Sequence, residues 1–515
     1  MSTRRISSEV RIGNLLIGGN NPIRIQSMAT VDTNDTEGCV AQAKRIIDAG
    51  GELVRFTTQG TREAENMKNI SARLKADGYH QPLVADVHFT AHTADVAAQY
   101  CEKVRINPGN YVDPGRTFKH LEYTDEEYHA ELLKIDQKLV PFINICKEHH
   151  TAVRIGVNHG SLSDRIMSRY GDTPKGIVES CMEFLRIFRR EQFDDIVISI
   201  KASNTVVMVT TVRLLVKTMD AEDMHYPLHL GVTEAGEGED GRIKSAVGIG
   251  ALLTEGIGDT IRVSLSEEPE CEIPVARKLV ELIPLCTRLR QEAEASIHDD
   301  TITLDLSRAS QFGCEATHAD SASQFGREAT LVDSASQFGC EDDWETLQLT
   351  AAMAVGALLI DRKATKLSIL NPQFPIPNLT ALADSILQAA RVKFTKTEYI
   401  SCPGCGRTLY NLQETIARIK AAIKQEQYKL ACIAEREPAR LEEVKEATKD
   451  LVGLKIGIMG CIVNGPGEMA DADYGYVGAG RGKISLYKQK VCVEKNIPEE
   501  EAVDKLLELI RKDKG

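Results

Sequence analysis

Three cysteines near the end of the chain have the types and spacing needed to hold a metal centre. Cys402 and Cys405 form a Cys-x-x-Cys pair, and Cys461 opens a second stretch, Cys-Ile-Val-Asn-Gly-Pro-Gly-Glu, which ends at Glu468. Glycine and proline keep that second turn tight and poor in side chains, as a cluster pocket requires. No second Cys-x-x-Cys pair follows, so the four-sulfur set of a closed zinc site is incomplete. Three sulfurs and a nearby carboxylate favour an iron–sulfur cluster with one exchangeable position.

Two other interpretations of the Cys-x-x-Cys pair stay open at this point. Such a pair also occurs in structural zinc turns, and two idle thiols at this spacing are common as well. The cluster is favoured only because the chain also contains a second, glycine-rich stretch with a cysteine, which can supply a further ligand.

The composition is that of a globular protein and limits the partners. The 515 residues suffice for two to four domains, with 42% apolar and 27% charged residues. A net charge of −13 without an evident basic face argues against nucleic acid as a partner. Because no apolar run approaches about 18 residues, we expect no membrane span and no membrane partner.

The cysteine usage and the start of the chain predict a cytoplasmic location. The first residues lack the apolar core of a secretory signal. The 13 cysteines are an odd number and are scattered without a disulfide rhythm, which favours a reducing compartment.

Eight short apolar runs in the first half of the chain each end in polar residues, and predicted helices separate them. The runs are 24–30, 53–60, 83–89, 103–110, 152–161, 196–203, 228–236 and 260–267. Eight strand–helix units predict an α/β fold built on a (β/α)8 TIM barrel. A doubly wound open sheet is the alternative, although no Gly-x-Gly-x-x-Gly follows the first strand.

Polar side chains gather at the predicted strand ends, where a TIM barrel carries its active site. These strand-end residues are Arg55, Asp86, His88, Arg105, Asn107, Arg154, Asn158, Lys201, Ser203, Thr233, Glu234, Arg262 and Ser264. Five of them are cations and two are carboxylates, so a positive mouth is expected in an acidic protein. Guanidinium groups bind phosphate oxygens bidentately, so these residues predict a small substrate with several phosphate charges. For any single arginine, a salt bridge within the barrel is the alternative.

The chain after the barrel divides into two further predicted domains. Residues 1–270 form the substrate-binding barrel, 271–392 an insert and 393–515 an α+β domain that carries the cluster. The insert begins with a predicted helix over 273–290 and ends with a helix over 347–360 and an extended connector. Between them, Ala-Ser-Gln-Phe-Gly recurs three times with a period of 13 residues from residue 309. Each copy has one aromatic to bury, so the insert is predicted to be partly disordered.

The last predicted domain combines helices with short strands. Helices are expected over 409–425, 438–449 and 499–512, and strands over 455–459, 483–487 and 490–494.

Several of these stretches resemble the 4-hydroxy-3-methylbut-2-en-1-yl diphosphate synthase family. They include Leu-Val-Ala-Asp-Val-His-Phe at 83–89, Arg-Ile-Asn-Pro-Gly-Asn at 105–110 and the residues 154–168 and 227–242. The most specific stretches are the two around the cysteines, 395–409 and 458–478. The sequences of these stretches are similar to those of the three-domain form found in plants and some bacteria, here with a shortened insert.

The resemblance implies reductive ring opening of 2-C-methyl-D-erythritol 2,4-cyclodiphosphate to (E)-4-hydroxy-3-methylbut-2-enyl diphosphate, in the methylerythritol phosphate route to isoprenoids. It implies an oxidoreductase that receives two electrons from ferredoxin or flavodoxin. It also implies a 4Fe–4S cluster held by Cys402, Cys405, Cys461 and Glu468. The residues implied to hold the cyclic diphosphate are Arg55, His88, Arg105, Arg154, Lys201, Arg262 and Ser264.

Two carboxylates are the catalytic candidates. Glu468 is expected to act as an exchangeable ligand of the cluster. Glu234, a carboxylate at a strand end among cations, is the candidate proton donor, with a purely electrostatic or structural role as the alternative.

Functions of two other classes stay open. One is a barrel lyase or transferase whose cysteine turn holds structural zinc, and the other is a non-catalytic electron-transfer or corrinoid-binding module. The oligomeric state is open too, a homodimer included. Because the insert is short, it is also open whether one chain builds a complete site.

Overall fold

The structure is a computed structural model that describes residues 4–88, 90–112, 122–307, 340–436, 451–462, 465–469 and 471–514. The chain begins with an antiparallel hairpin of β1 (Val10–Ile12) and β2 (Leu15–Ile17). Its apolar side chains pack under the barrel against residues near the starts of four strands, namely Leu53, Val84, Ala152 and Val197. The hairpin therefore closes the floor of the barrel with apolar surface.

Eight parallel strands form the barrel. They are β3 (Arg24–Met28), β4 (Leu53–Thr58), β5 (Leu83–Val87), β6 (Lys103–Ile106), β7 (Ala152–Asn158), β8 (Ile196–Lys201), β9 (His229–Leu230) and β10 (Thr260–Ile261). Their order is β8-β7-β6-β5-β4-β3-β10-β9, and a parallel bridge between Ile198 and Leu228 joins the two ends. Each of the eight predicted runs contains one strand, so the predicted TIM barrel is confirmed.

Helices surround the strands on the outside of the barrel. They are α1 (Thr36–Asp48), α2 (Thr61–Ala76), α3 (Ala91–Ala97), α4 (Pro108–Tyr111), α5 (Asp125–His149), α6 (Asp164–Tyr170), α7 (Pro174–Arg190), α8 (Thr205–Ala221) and α9 (Gly238–Leu253). Side-chain caps fix where several of them begin. Asp35 accepts from the Gly38 N–H at the start of α1, and Asn204 accepts from two N–H groups at the start of α8. These caps end the strand–helix loops close to the cavity.

The insert packs against the barrel through α10 (Glu272–Glu281), α11 (Ile283–Ala295), β11 (Thr301–Asp305), α12 (Cys340–Ile360), β12 (Lys366–Leu370) and α13 (Ile376–Ala389). Strands β11 and β12 pair in parallel, with α12 between them in sequence. Helix α12 lies tightly on α9, because a Cβ at Gly356 would come within 2.8 Å of the Val247 carbonyl oxygen. The side chains of these elements share the barrel's hydrophobic core.

The structure tests one of the two expectations for the insert, the helix over 273–290, and does not test the other, the disordered repeat. The single helix predicted over 273–290 is wrong, since α10 ends at Glu281 and α11 begins at Ile283. The reason is Pro284, which lacks an N–H and is tolerated only in the first turn of a new helix. The repeat that was predicted to be disordered lies almost wholly outside the described residues. The domain boundaries at 270 and 392 stay predictions.

The last part of the chain folds into a five-stranded sheet with helices. Its elements are β13 (Glu398–Ser401), α14 (Leu412–Arg436), β14 (Lys455–Met459), α15 (Gly465–Glu468), β15 (Tyr474–Gly480), β16 (Lys483–Lys488), β17 (Val491–Pro498) and α16 (Glu499–Lys514). The strand order is β13-β14-β15-β16-β17, and β13, β14 and β15 are parallel. The strands predicted at 455, 483 and 490 and the last helix match these elements. The helix predicted over 438–449 lies outside the described residues.

The parallel pairing of β13 and β14 explains how the cysteines meet. Cys402 directly follows β13, and Cys461 follows β14 after one glycine. Because neighbouring parallel strands end at the same edge, both cysteine turns lie side by side there. Among the helices in the described ranges, none has the length and apolar character to span a membrane.

Candidate active site

A cavity of roughly 730 Å³, its open mouth included, lies between the barrel's strand ends and the two cysteine turns. Its volume suits a small organic ligand. The predicted site residues that line this cavity are Arg55, Asp86, His88, Arg105, Arg154, Asn158, Lys201, Thr233, Glu234, Arg262, Ser264, Cys402, Cys405, Cys461 and Glu468. The chain thus brings together residues from nearly its whole length.

Arg105 is held in place by a carboxylate and by neighbouring strands. It lies 3.0 Å from Asp86, and it donates to the Gly156 carbonyl at 2.8 Å and to the Asn158 side-chain oxygen at 2.9 Å. Only glycine fits at position 156, because a Cβ there would lie 2.4 Å from the Arg105 Nε. Burial alone would raise the pKa of Asp86, but Arg55 and Arg105 hold it well below its usual range.

His88 completes this group as a neutral ring. Its Nε2 lies 2.9 Å from the Arg105 guanidinium and 3.5 Å from Asp86. Burial and the charge of Arg407 lower the pKa of His88 to about 3, so the ring adds no positive charge at neutral pH.

The predicted positive mouth contains paired cations. Arg262 forms a two-pronged ion pair with Glu272, at 3.0 and 2.9 Å, and both side chains are buried. Arg55 lies 3.7 Å from Asp86 and points two N–H groups at the sulfur of Met28. Arg55, Arg105 and Arg262 therefore form ion pairs within the barrel, which was the alternative considered for any single arginine. Buried arginines need acceptors, and strand β5 and helix α10 supply the carboxylates of Asp86 and Glu272.

Arg154 and Lys201 differ from the other cations. Both are buried, and neither has a carboxylate at ion-pair distance within the described ranges. The Nε and Nη1 of Arg154 have no hydrogen-bond acceptor anywhere in that part of the chain. Burial first, and then the neighbouring cations, lower the pKa of Arg154 and of Lys201 well below their usual ranges. Two buried cations without an anion form a site that is built for an anionic ligand.

Glu468 reaches from the last part of the chain into the barrel mouth. The Asn158 amide donates to one of its carboxylate oxygens, and the Thr233 hydroxyl donates to the other at 3.2 Å. The Ser203 hydroxyl also donates to its backbone oxygen at 3.0 Å. Burial and the charge of Glu468 raise the pKa of Glu234 well above its usual range. Glu234 therefore keeps its proton to a higher pH than an ordinary glutamate does.

The backbone at Glu234 is strained. Its φ is +49°, in the left-handed region that non-glycine residues rarely occupy. Strain of this kind persists only where the surrounding structure holds it, and it is concentrated at functional sites.

The cysteine turns place thiols of different character around the same cavity. Cys402 accepts a hydrogen bond from the Gly460 N–H at 3.3 Å, and burial raises its pKa to about 12. Burial would also raise the pKa of Cys405, but the guanidinium and backbone N–H of Arg407 outweigh it and lower that pKa. A buried guanidinium beside a thiol compensates negative charge, which a set of thiolate ligands would bring.

Three thiols and a carboxylate line one cavity, and this donor set fits an iron–sulfur cluster. Among the residues that the structure describes, no three His, Cys, Asp or Glu side chains converge as ligands of one ion. A single zinc ion needs such convergence, whereas the thiolates of a cubane cluster bind different irons and surround a volume. Cys402, Cys405, Cys461 and Glu468 do surround one cavity, with Arg407 beside it.

One chain supplies both walls of this site. Gly160 after β7 and Gly467 touch backbone to backbone, since a Cβ at Gly160 would lie 2.1 Å from the Gly467 carbonyl carbon. The Ser266 hydroxyl donates to the Cys402 carbonyl at 2.9 Å, and Asn204 donates to Asp471 at 2.9 Å. In this chain, the barrel and the cysteine turns are therefore in direct contact despite the short insert.

Two predicted residues lie outside the cavity lining. Asn107 caps α4, accepting from the Gly109 N–H at 3.2 Å, and donates to the Ser161 hydroxyl. Ser203 positions the Glu468 backbone instead of facing the cavity. Both lie at strand ends, as predicted, but their side chains bind protein groups.

The sequence reasoning also missed two charged residues. Arg407 lies two residues after Cys405, and this spacing was a usable signal for a cation at the cysteine turn. Glu272 gave no such signal, because it lies in a helix beyond the last strand and meets Arg262 only through the fold.

Comparison with known proteins agrees with this geometry. A family described as the GcpE TIM-barrel domain matches residues 7–277, and one described as the GcpE protein C-terminal domain matches residues 398–512. The chain is 52% identical over 624 residues to 4-hydroxy-3-methylbut-2-en-1-yl diphosphate synthase (flavodoxin) of Bacteroides fragilis, covering 99% of this chain and 96% of that protein.

Two further relatives carry the same description. The protein of Phocaeicola vulgatus is 51% identical, with 99% of this chain and 98% of that protein covered. The protein of Porphyromonas gingivalis is 46% identical, with 99% and 97% covered. The resemblance inferred from the motifs is confirmed, and the chain belongs to the 4-hydroxy-3-methylbut-2-en-1-yl diphosphate synthase family.

Proposed function

We propose that this chain catalyses the reductive ring opening of 2-C-methyl-D-erythritol 2,4-cyclodiphosphate to (E)-4-hydroxy-3-methylbut-2-enyl diphosphate. The observation that carries the proposal is a single cavity lined by three cysteines and by two buried cations that have no carboxylate partner among the described residues. The cations fit the diphosphate, and the cysteines fit a redox centre. Both requirements agree with the name of the relatives, a diphosphate synthase that uses flavodoxin.

The balance of the reaction defines what the site must supply. Two carbon–oxygen bonds join the diphosphate to the carbon chain in the ring; one of them breaks, and the diphosphate stays attached through the other. The hydroxyl on the carbon next to the broken bond leaves as water, while a double bond forms between these two carbons. Two electrons and two protons enter for each substrate. The site therefore needs an anion cradle, a source of electrons and a proton donor near the leaving oxygen.

Arg154 and Lys201 receive the diphosphate in this proposal. Their lack of carboxylate partners within the described ranges leaves their N–H groups available to phosphate oxygens. Arg105 and Arg262 are turned toward Asp86 and Glu272, so they shape the cradle and add positive potential. Charge-assisted hydrogen bonds contribute roughly 1.5–3 kcal/mol each, which makes the unpaired cations the main source of affinity.

Glu234 acts as the proton donor. Burial and the charge of Glu468 raise the pKa of its carboxyl group well above the usual range, so the group keeps its proton to a higher pH than an ordinary glutamate does. Lys201 lies near enough to influence it, so ionisation after donation leaves a carboxylate beside a cation. The positive φ at this position supports a functional role, because backbone strain is concentrated at functional sites.

Cys402, Cys405 and Cys461 would hold a 4Fe–4S cluster, with Glu468 as the fourth, exchangeable ligand. When bound, such a cluster supplies electrons one at a time to the substrate. In the present arrangement, Asn158 and Thr233 hold the Glu468 carboxylate at the barrel mouth, and Arg407 offsets negative charge at the cysteine turn. The electrons come from a flavodoxin, which the names of the relatives specify.

Anaerobic purification tests the proposal against its rivals. The expected protein is brown, contains about four irons, and turns over the cyclic diphosphate with reduced flavodoxin. A colourless zinc protein would support the lyase or transferase instead. An iron protein that binds no cyclic diphosphate would support the electron-transfer module.

A further inference from the structure

A fully buried lysine lies below the cavity, outside the lining described above. Lys103 is the first residue of β6 and has no exposed surface. Its backbone neighbours across the sheet are Val84 and Ala152, which belong to the apolar floor. The next inward residue of the same strand is Arg105, which lines the cavity. Lys103 therefore occupies the layer between the apolar floor and the anion cradle.

The surroundings of Lys103 contain no compensating charge. Its Nζ donates to the Gln26 side-chain oxygen at 3.2 Å, and that oxygen is uncharged. The charged or titratable groups that influence it are Arg55 on β4, Arg154 on β7 and His229 on β9. In the described parts of the chain, no carboxylate lies at ion-pair distance from this amine.

Such a position favours a neutral amine while the cavity holds no anion. Burial first, and then the charges of Arg154 and Arg55, lower the pKa of Lys103 well below its usual range. The bond to Gln26 does not demand a charge, because a neutral amine also donates. A neutral amine also removes the large free-energy cost of an unpaired buried ammonium group.

An anion on Arg154 reverses this balance. Two negative charges placed in the layer above Lys103 would outweigh the cations that now oppose its protonation. We propose that Lys103 is a positioning residue that takes up a proton when the diphosphate binds, adding a cation beneath Arg154 and Lys201. It never touches the substrate and acts through the field in the barrel. The inference rests on the proposed function, because it takes the cyclic diphosphate as the ligand.

The sign of the pH dependence follows from proton uptake. Between the pKa of Lys103 in the empty site and its higher pKa in the complex, binding consumes a proton. Affinity for the diphosphate therefore falls as pH rises through this window, by up to about tenfold per pH unit from this group alone. A residue that only fills space would give no such slope.

Calorimetric titration in buffers of different ionisation enthalpy counts the protons. The proteins are the wild type, Lys103→Met, and His229→Gln as the matched control, because His229 is the other buried base in this layer. We expect the wild type and His229→Gln to take up one proton more than Lys103→Met. Affinity should be about tenfold weaker in Lys103→Met, with kcat at saturating substrate nearly unchanged.

Folding of the variants is checked by thermal unfolding. Replacing an unpaired buried amine by an isosteric apolar chain should not lower the Tm. Lys103→Gln serves as a second neutral variant, with the same expected loss of the proton. Equal proton uptake by the wild type and both Lys103 variants would overturn the inference, and so would loss of the proton in His229→Gln alone.

Inorganic pyrophosphate separates this inference from the proposed function. If the cyclic diphosphate is not turned over, the proposed function fails, yet pyrophosphate should still bind with the extra proton in the wild type and without it in Lys103→Met. If neither anion binds the wild type, the anion cradle and the role of Lys103 are both overturned.

Discussion

The two walls of the cavity are built by different means. The barrel wall consists of side chains on neighbouring parallel strands, where alternation alone points Asp86, Arg105 and Arg154 inward. The opposite wall consists of turns after β13 and β14, which hold Cys402 and Cys461. Strands position their side chains through their own ladders, whereas the turns face the cavity only because the last part of the chain docks on the barrel. The barrel wall is therefore positioned by the strands themselves, whereas the cysteine wall depends on contacts between distant segments.

A second difference lies within the barrel wall itself. Arg262 and Arg105 are neutralised by Glu272 and Asp86, while Arg154 has no partner of this kind in the described ranges. Paired cations stabilise the fold and shape the cavity, and unpaired ones are held ready for a ligand. Removing a cation should therefore have opposite consequences in the two cases.

The largest effect is expected from the cysteine wall. Cys405→Ser or Cys461→Ser should abolish both iron binding and turnover, because these thiolates complete the cage of the cluster. Cys492→Ser is the matched control, since this partly buried cysteine lies on β17 of the same sheet. Iron and sulfide analysis with steady-state rates measures the outcome. Full iron content and rate in either serine variant would show that the ligands lie elsewhere.

Glu234→Gln probes the carboxyl group that joins the two walls. An amide keeps the shape but has no carboxylic proton, so kcat should fall by about a hundredfold to ten-thousandfold. Iron content and affinity for the cyclic diphosphate should stay near those of the wild type. A variant with normal kcat would assign Glu234 an electrostatic or structural role instead.

Gly467→Ala tests how closely the walls must approach. A Cβ at position 467 would lie 2.0 Å from the Gly160 carbonyl oxygen, so the two backbones would be forced apart. Displacing Glu468 in this way should lower kcat/KM by about a hundredfold, with iron retained. At Gly480, the nearest atom to an added Cβ is 4.0 Å away, which makes Gly480→Ala the matched control. Normal kinetics in Gly467→Ala would mean that the closed contact is dispensable.

The smallest effect on catalysis, and the sharpest comparison, comes from two arginines. Arg154→Lys should lower kcat/KM by about tenfold to a hundredfold, because a point charge loses the planar fork. Arg154→Met should lower kcat/KM further without lowering stability, since no partner is left behind. Arg262→Met should instead destabilise the protein by about 3–5 kcal/mol, because it leaves Glu272 buried and unpaired.

Kinetics and urea unfolding of the same variants separate the two roles. The double change Arg262→Met with Glu272→Met should recover most of the lost stability, as apolar replacement of a whole buried pair is tolerated. If Arg154→Met were destabilised as strongly as Arg262→Met, Arg154 would have a structural partner and the distinction between the two arginines would fail.

The sequence by itself determined the barrel and most of the cavity residues. Strand and helix periods are local properties, so the eight strands fell within the eight predicted runs, and their inward residues followed from alternation. The cysteine motifs were equally local, and the family could be inferred from them. The sequence also contained the signal for the helix break, because Pro284 predicts the start of a new helix, but the prediction of one helix over 273–290 did not take it into account.

Only the tertiary structure decided which charges are neutralised and which are free. Arg154 and Arg262 have the same residue type and the same place at a strand end, yet among the residues that the structure describes only Arg262 has a carboxylate partner. That pairing depends on how α10 packs beside the end of β10. The insertion of Glu468 between Asn158 and Thr233, and the contact of Lys103 with Gln26, depend on distances between segments far apart in the chain. Such distances follow from packing, because the sequence encodes which side chains alternate on a strand but not which partners lie across a barrel.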